Sequence, residues 1–245
     1  MGVMMIIKVK DLDINYIQYG EGSDIVLLHG WGQNIKMMEP IGEKLASKFK
    51  VTILDLPGHG NSSEPKEALT IYDFCEILKE FLDKLKIDNP IIIGHSFGGR
   101  IAIIYASHYD TEKLILLGAP CVRKKEKLGL KIKTLKQLKK IPVLNKFEEF
   151  AKRHIGSRDY RNANPIMRQI LVNTVNEDLS DCARKIKCPT LLIWGEYDNE
   201  APVEDAKILE KLIDDSGLII YPNGSHYTYL EFLNPVCKVI KTFIE

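Results

Sequence analysis

The sequence predicts an α/β fold: a mostly parallel, eight-stranded sheet flanked by helices, carrying one helical insertion. Three observations support this. Short apolar runs rich in β-branched residues alternate with stretches of helical period. The later runs are almost uninterrupted, which implies burial on both faces and hence parallel strands covered by helices. The alternation fails once, between Cys121 and Lys187, so the expected core is 1–120 and 187–245, with an inserted lid at 121–186.

The elements follow in chain order. Met4-Met5-Ile6-Ile7 is too short for a signal peptide, lacks a basic start and a small-residue cleavage site, and begins an edge strand over Ile6–Lys10. Position six is Ile6 rather than the Ser or Thr of a myristoylation signal. Ile14–Tyr19 mixes polar and apolar residues and suits an exposed antiparallel edge. Ile25–Leu28, Val51–Leu54, Ile91–Ile93, Leu114–Leu117, Thr190–Trp194 and Leu218–Tyr221 complete the sheet. A helix opens on the capping pair Thr70 and Asp73 and keeps Phe74, Leu78, Phe81, Leu82 and Leu85 on one face. The last helix is expected at Pro235, with Asn234 as its N-cap.

Inside the insertion, Leu128, Ile132, Leu135, Leu138 and Ile141 recur at helical spacing among lysines. From Arg123 to Arg161 there are fourteen Lys and Arg against four acids, a local balance of +10 in a chain whose net charge is +1. A solvated helix face accounts for such lysines. The sharper reading is a positive funnel that draws anionic substrates, or a patch for anionic lipid or an acidic partner.

Gly94-His95-Ser96-Phe97-Gly98 lies between two apolar runs. A serine on a glycine-flanked strand-to-helix turn projects its hydroxyl clear of the backbone, and the glycines remove side chains where helix and strand crowd together. A nucleophilic serine needs a base, and the base an orienting acid. Six histidines are available. His29, His95 and His59 sit in glycine-rich turns, His108 follows the helix that Ser96 begins, and His154 lies in a basic stretch. His226 instead follows the Leu218–Tyr221 run and the Pro222-Asn223-Gly224 turn, at a strand's C-terminal end, where open α/β sheets place their chemistry. Asp198 occupies the same kind of place one strand earlier. Glu196 competes, but the Gly-x-x-Asp spacing lets the loop clear the strand before turning back. The preceding strand ends Leu117-Gly118-Ala119-Pro120, with no carboxylate.

These motifs, with His29-Gly30-Trp31-Gly32, Asp55-Leu56-Pro57-Gly58-His59-Gly60-Asn61-Ser62 and Gly224-Ser225-His226, resemble the α/β-hydrolase family over nearly the whole chain. The order Ser96, Asp198, His226 is the one that fold uses. The resemblance implies an oxyanion hole built from the backbone N–H groups of Trp31 and Phe97, and a pocket-rim role without chemistry for the Asp55 motif.

Composition fits an ordinary globular chain: 45% hydrophobic and 27% charged over 245 residues. A net charge of +1 gives no reason to expect nucleic acid, and no run reaches the length of a membrane span. The five cysteines are odd in number and lack paired metal spacing, so reduced thiols, a cytoplasmic location, and no metal or cofactor are expected. The expected activity is hydrolysis of a carboxylic ester of small to medium size through an acyl-enzyme. Carbon–carbon hydrolysis of a dienoate-type acid is the main alternative. Thioester or lactone hydrolysis and a non-catalytic ligand-binding role stay open.

Overall fold

A computed structural model describes residues 2–122 and 163–245. The eight strands form one sheet in the order β1-β2-β4-β3-β5-β6-β7-β8. They are β1 (Val3–Val9), β2 (Leu12–Tyr19), β3 (Ser23–Leu28), β4 (Phe49–Leu54), β5 (Ile91–His95), β6 (Lys113–Leu117), β7 (Thr190–Gly195) and β8 (Ser216–Tyr221). β2 runs antiparallel to both β1 and β4; β3 to β8 are mutually parallel where they pair.

Successive side chains of a strand point to opposite faces, so each central strand feeds two cores. Val26, Leu28, Ile92, Leu114, Leu116 and Trp194 share one core with α2 (Ile71–Leu85) and α3 (Phe97–His108). Ile25, Leu27, Ile91, Ile93, Ile115 and Leu117 share the other with α1 (Glu39–Leu45) and the last helix. Ile91, Ile92 and Ile93 are all fully buried, at roughly 1.5–3 kcal/mol of burial for each. That double burial is what the uninterrupted apolar run required. The capping box of α2 is present: Asp73 Oδ2 accepts from the Thr70 amide at 2.7 Å, and Thr70 Oγ1 accepts from the Asp73 amide at 3.2 Å.

Three expectations are corrected. β2 is not an exposed edge, because β1 covers it. Its polar residues are satisfied inside: Asn15 Nδ2 donates to Asp55 Oδ2 at 2.8 Å, and Gln18 Nε2 donates to Thr52 Oγ1 at 2.9 Å. β8, read as doubly buried, closes the far edge of the sheet and is largely half-exposed. The last helix starts at Leu233, not Pro235. A one-turn helix, Thr228–Glu231, feeds straight into it, and Pro235 falls in the first turn, where a missing N–H costs no intrahelical bond.

Of the expected insertion, residues 163–186 are described, and 123–162, with the basic stretch and its apolar spacing, lie outside the described residues. α4 (Pro165–Val175) and the short α5 (Ser180–Ala183) pack Met167, Ile170, Leu179, Cys182 and Ala183 into the α2–α3 core. Arg100, the only ionic side chain of α3, is buried there. Its guanidinium donates to the carbonyls of Pro120 (2.7 Å), Thr174 (2.9 Å) and Glu177 (2.6 Å). Beside it the Leu179 amide donates to the Cys121 carbonyl at 2.8 Å, so the two ends of the insertion meet. Cys121 is itself a buried thiol, raised by that burial to about 12. No described helix is long and apolar enough to cross a membrane.

Candidate active site

Parallel register brings four strand ends level. His95 pairs with Leu117, Leu117 with Ile193, and Gly195 with Tyr221, so the loops leaving β5, β6, β7 and β8 emerge side by side. Ser96 is the single residue between β5 and α3. Its backbone sits at φ 50° and ψ −112°, outside the regions a side-chain-bearing residue favours, at a cost on the order of 1–3 kcal/mol. The turn holds because both ends are tied. The Ser96 amide donates to the Leu117 carbonyl at 2.9 Å, and the Gly98 amide to the His29 carbonyl at 3.1 Å. A Cβ on Gly94 would meet Gly99 Cα at 2.6 Å, and one on Gly98 the carbonyl oxygens of His29 and Leu28 at 2.6 Å, so the crossing excludes any side chain at either position.

Asp198 lies in the loop after β7, its side chain fully buried. Its Oδ2 lies 2.8 Å from His226 Nδ1, while Oδ1 accepts from the amides of Glu200 (2.9 Å) and Ala201 (2.8 Å). The Ala201 carbonyl is anchored by Trp194 Nε1 at 2.7 Å, which pins the loop to the core. Because a carboxylate oxygen only accepts, the hydrogen of the His226 imidazole sits on Nδ1 and the Nε2 lone pair is left for another partner. Glu196, the competing acid, is turned elsewhere: its Oε2 accepts from the Asn223 amide at 3.0 Å and braces the β8 turn.

Gly118, the residue after Leu117, joins these pieces. At φ 53° it passes so close that a Cβ would lie 3.0 Å from Asp198 Oδ2 and 3.2 Å from His226 Nδ1. The strand end bonded to the Ser96 amide is thus the one against which the acid and imidazole pack. His95 makes a second link, with its Nε2 3.1 Å from the His226 carbonyl oxygen and its ring 4.7 Å from the His226 ring. The Ser96 hydroxyl is not hydrogen-bonded to His226. Instead, Glu200 Oε2 stands 3.5 Å from His226 Nε2, on a side chain that is 64% exposed. Sequence reasoning did not single out Glu200, which carries no local pattern beyond its distance of two from Asp198.

His29 and His95 are structural. The His29 ring spans two loops, with Nδ1 2.7 Å from the Gly30 carbonyl and Nε2 accepting from the Leu56 amide at 3.0 Å. Burial holds His29 down at about 3, helped by the nearby His59; burial also lowers His95 to about 3, helped by His226. Both are neutral packing groups. Asp55 is likewise structural: its carboxylate accepts from Asn15 Nδ2 and from the amides of Ile35 and Asn61, all at 2.8 Å.

Trp31 and Phe97, whose amides were expected to face a developing negative charge, flank the elbow. Their rings meet edge to face at 5.2 Å, and His59 meets Trp31 edge to face at 4.9 Å. Among the described residues neither amide donates to another group. The Phe97 amide also lies at the positive end of α3. Next to this aromatic wall is a cavity of about 360 Å³ lined by Trp31, Gly58, His59, Glu64, Asn164 and Met167. α4 therefore supplies one side of the space near the elbow. Among the described residues no group of three or more His, Cys, Asp or Glu is arranged to hold a metal ion.

Comparison with known proteins agrees with this fold. Residues 25–139 match the family model described as the alpha/beta hydrolase fold. The chain is 30% identical to the pimeloyl-[acyl-carrier protein] methyl ester esterase of Wigglesworthia glossinidia brevipalpis, over 92% of this chain and 95% of the relative. It is 28% identical to the AB hydrolase superfamily protein YisY of Bacillus subtilis, over 91% and 92%. In overall fold it is similar to a bromoperoxidase from Bacillus anthracis (TM-score 0.80, 24% identity, 99% of each chain). It is also similar to the esterase EaEST from Exiguobacterium antarcticum (TM-score 0.77, 23% identity, 100% of this chain and 99% of that one). With its sheet order, its nucleophile-type turn and these relatives in view, the chain belongs to the α/β-hydrolase superfamily.

Proposed function

We propose that the protein is a serine hydrolase acting on carboxylic esters of small to medium size, with Ser96 as nucleophile, His226 as base and Asp198 as the acid that orients it. The observation that carries the reading is the 2.8 Å pairing of buried Asp198 with His226 Nδ1, beside a serine in a strained elbow. Strain at a tight turn points to function when the surroundings enforce it, as the Leu117 and His29 carbonyls do here.

In this mechanism the Ser96 hydroxyl oxygen attacks the ester carbonyl carbon, and His226 Nε2 takes its proton. Asp198 holds the Nδ1 hydrogen and stabilises the imidazolium. The carbonyl oxygen, now negative, lies against the Trp31 and Phe97 amides. His226 returns the proton to the departing alkoxide, leaving Ser96 acylated. A water molecule then repeats the sequence and releases the acid. The ester-hydrolase relative supports ester chemistry over carbon–carbon cleavage, and the cavity beside Trp31 and Met167 suits an acyl group. The residues 121–186 are proposed as the lid, and the cytoplasm as the location.

A fluorophosphonate probe should label Ser96, and Ser96→Ala should lose labelling together with on the order of 10⁴-fold or more in kcat on p-nitrophenyl acyl esters. A Ser96→Ala protein that keeps most of its turnover refutes the assignment.

A further inference from the structure

We propose that Met167 bounds the acyl side of this site, so that its thioether sets the longest linear acyl chain the protein takes well. The inference rests on the serine-hydrolase reading and adds a chain-length class to it.

The sheet order decides which half of an ester lies where. Ser96 leaves β5, with β3 and β4 on one side of it and β6, β7 and β8 on the other. His226, on the loop after β8, hands its proton to the leaving oxygen, so the alcohol lies toward the β7–β8 side. The acyl chain is left with the side served by the loops after β3 and β4. There the cavity of about 360 Å³ lies against Trp31, Gly58 and His59, with Met167 of α4 in its wall. The side chain of Met167 is seated, not loose. A Cβ at Gly58, where φ is 78°, would lie 2.4 Å from its Sδ and 2.6 Å from its Cε, so the thioether tip rests on bare backbone. The main chain behind it is fixed as well. The Met167 amide donates to Asn164 Oδ1 at 2.8 Å, and Asn164 Nδ2 donates to Glu64 Oε2 at 2.9 Å, which ties the start of α4 to the loop after β4. An apolar stop held at both ends suits a methylene chain and fixes where that chain must end.

Truncating the side chain at Cβ removes Cγ, Sδ and Cε, which makes room for about three methylenes, each worth roughly fourfold in kcat/KM when buried. The test measures kcat/KM for p-nitrophenyl esters of linear acids from acetate upward in the native protein, Met167→Ala and Met167→Leu. Met167→Ala should move the preferred chain outward by about three carbons and raise the ratio of that ester to acetate on the order of 50-fold over native. Met167→Leu keeps the packed volume and ends about one atom short, so it should move the preference by about one carbon, and it decides the matter if the alanine protein does not fold. Fluorophosphonate labelling of Ser96 and a parallel series of acetates of linear alcohols run beside each assay. Labelled protein whose preferred acyl length is the same with and without Met167 overturns the role of Met167 alone, and so does a shift confined to the alcohol series. Native protein that neither labels nor turns over any ester overturns the serine-hydrolase reading, and this inference with it.

Discussion

Replacing Asp198 separates the two jobs its carboxylate does. In Asp198→Asn the carbonyl oxygen can stay where Oδ1 is, still accepting from the Glu200 and Ala201 amides at 2.9 and 2.8 Å. The amide nitrogen then replaces Oδ2, 2.8 Å from His226 Nδ1. Two donors cannot face each other, so the imidazole shifts its hydrogen to Nε2 and presents a lone pair to the asparagine. The ring is held, yet it can no longer accept a proton from Ser96. A wrong tautomer of this kind costs on the order of 10⁴-fold in kcat, while stability falls by only about 1 kcal/mol, since every bond keeps a partner. Asp198→Ala is different. It strips an acceptor from two backbone amides and one buried ring nitrogen, at roughly 1–3 kcal/mol for each. For a domain of this size that is a fall of about 10 °C or more in Tm. Esterase turnover and calorimetry on the two variants give the check. Asparagine activity within tenfold of native refutes the tautomer argument, and an alanine variant as stable as the asparagine one refutes the bond accounting.

Other outcomes follow from the same geometry. Gly118→Ala forces a positive φ on alanine and pushes a methyl to 3.0 Å from Asp198 Oδ2, so kcat should drop about 100-fold for a loss of roughly 1–2 kcal/mol of stability; native turnover in that variant refutes it. Arg100→Met leaves the carbonyls of Pro120, Thr174 and Glu177 without their donor, and Tm should fall by about 10 °C, with a change under 2 °C contradicting it. His29 and His95 stay neutral in the fold down to about 3 but charge near 6.5 when unfolded. The unfolded chain therefore binds more protons as pH falls through that window, and stability is lost on acidification. From pH 6 to pH 5 the loss should be on the order of 2 kcal/mol, read from urea midpoints; equal midpoints refute it.

Much of the sheet was legible because its central strands are buried on both faces, and that demand writes itself into runs such as Ile91–Ile93. The placing of β2 was not legible, since Asn15 and Gln18 read as exposed until their partners Asp55 and Thr52 arrive from β4 and the turn after it. The start of the last helix failed for a local reason: Asn234-Pro235 has the form of a cap, but a preceding helical turn had already supplied the first carbonyls. The acid and imidazole were legible as strand-end residues, and only distance separated Asp198 from Glu196. Glu200 left no trace in sequence, because an exposed glutamate is ordinary until a ring nitrogen is found beside it. Arg100 did leave one: a lone cation in the apolar run from Phe97 to His108 calls for buried carbonyls.

The Arg100 knot has an evolutionary corollary. With Leu179 already bonded to Cys121 and both ends of the excursion fastened to Arg100 on α3, the chain leaves the sheet core and returns through a single narrow gate. Closing a longer loop adds only about 0.6 kcal/mol for each doubling of its length. Whatever spans that gate can lengthen, shrink or be exchanged between relatives with little penalty to the scaffold. Length can then vary on one side of the knot while the Asp198–His226 pair and the Ser96 turn keep their geometry on the other.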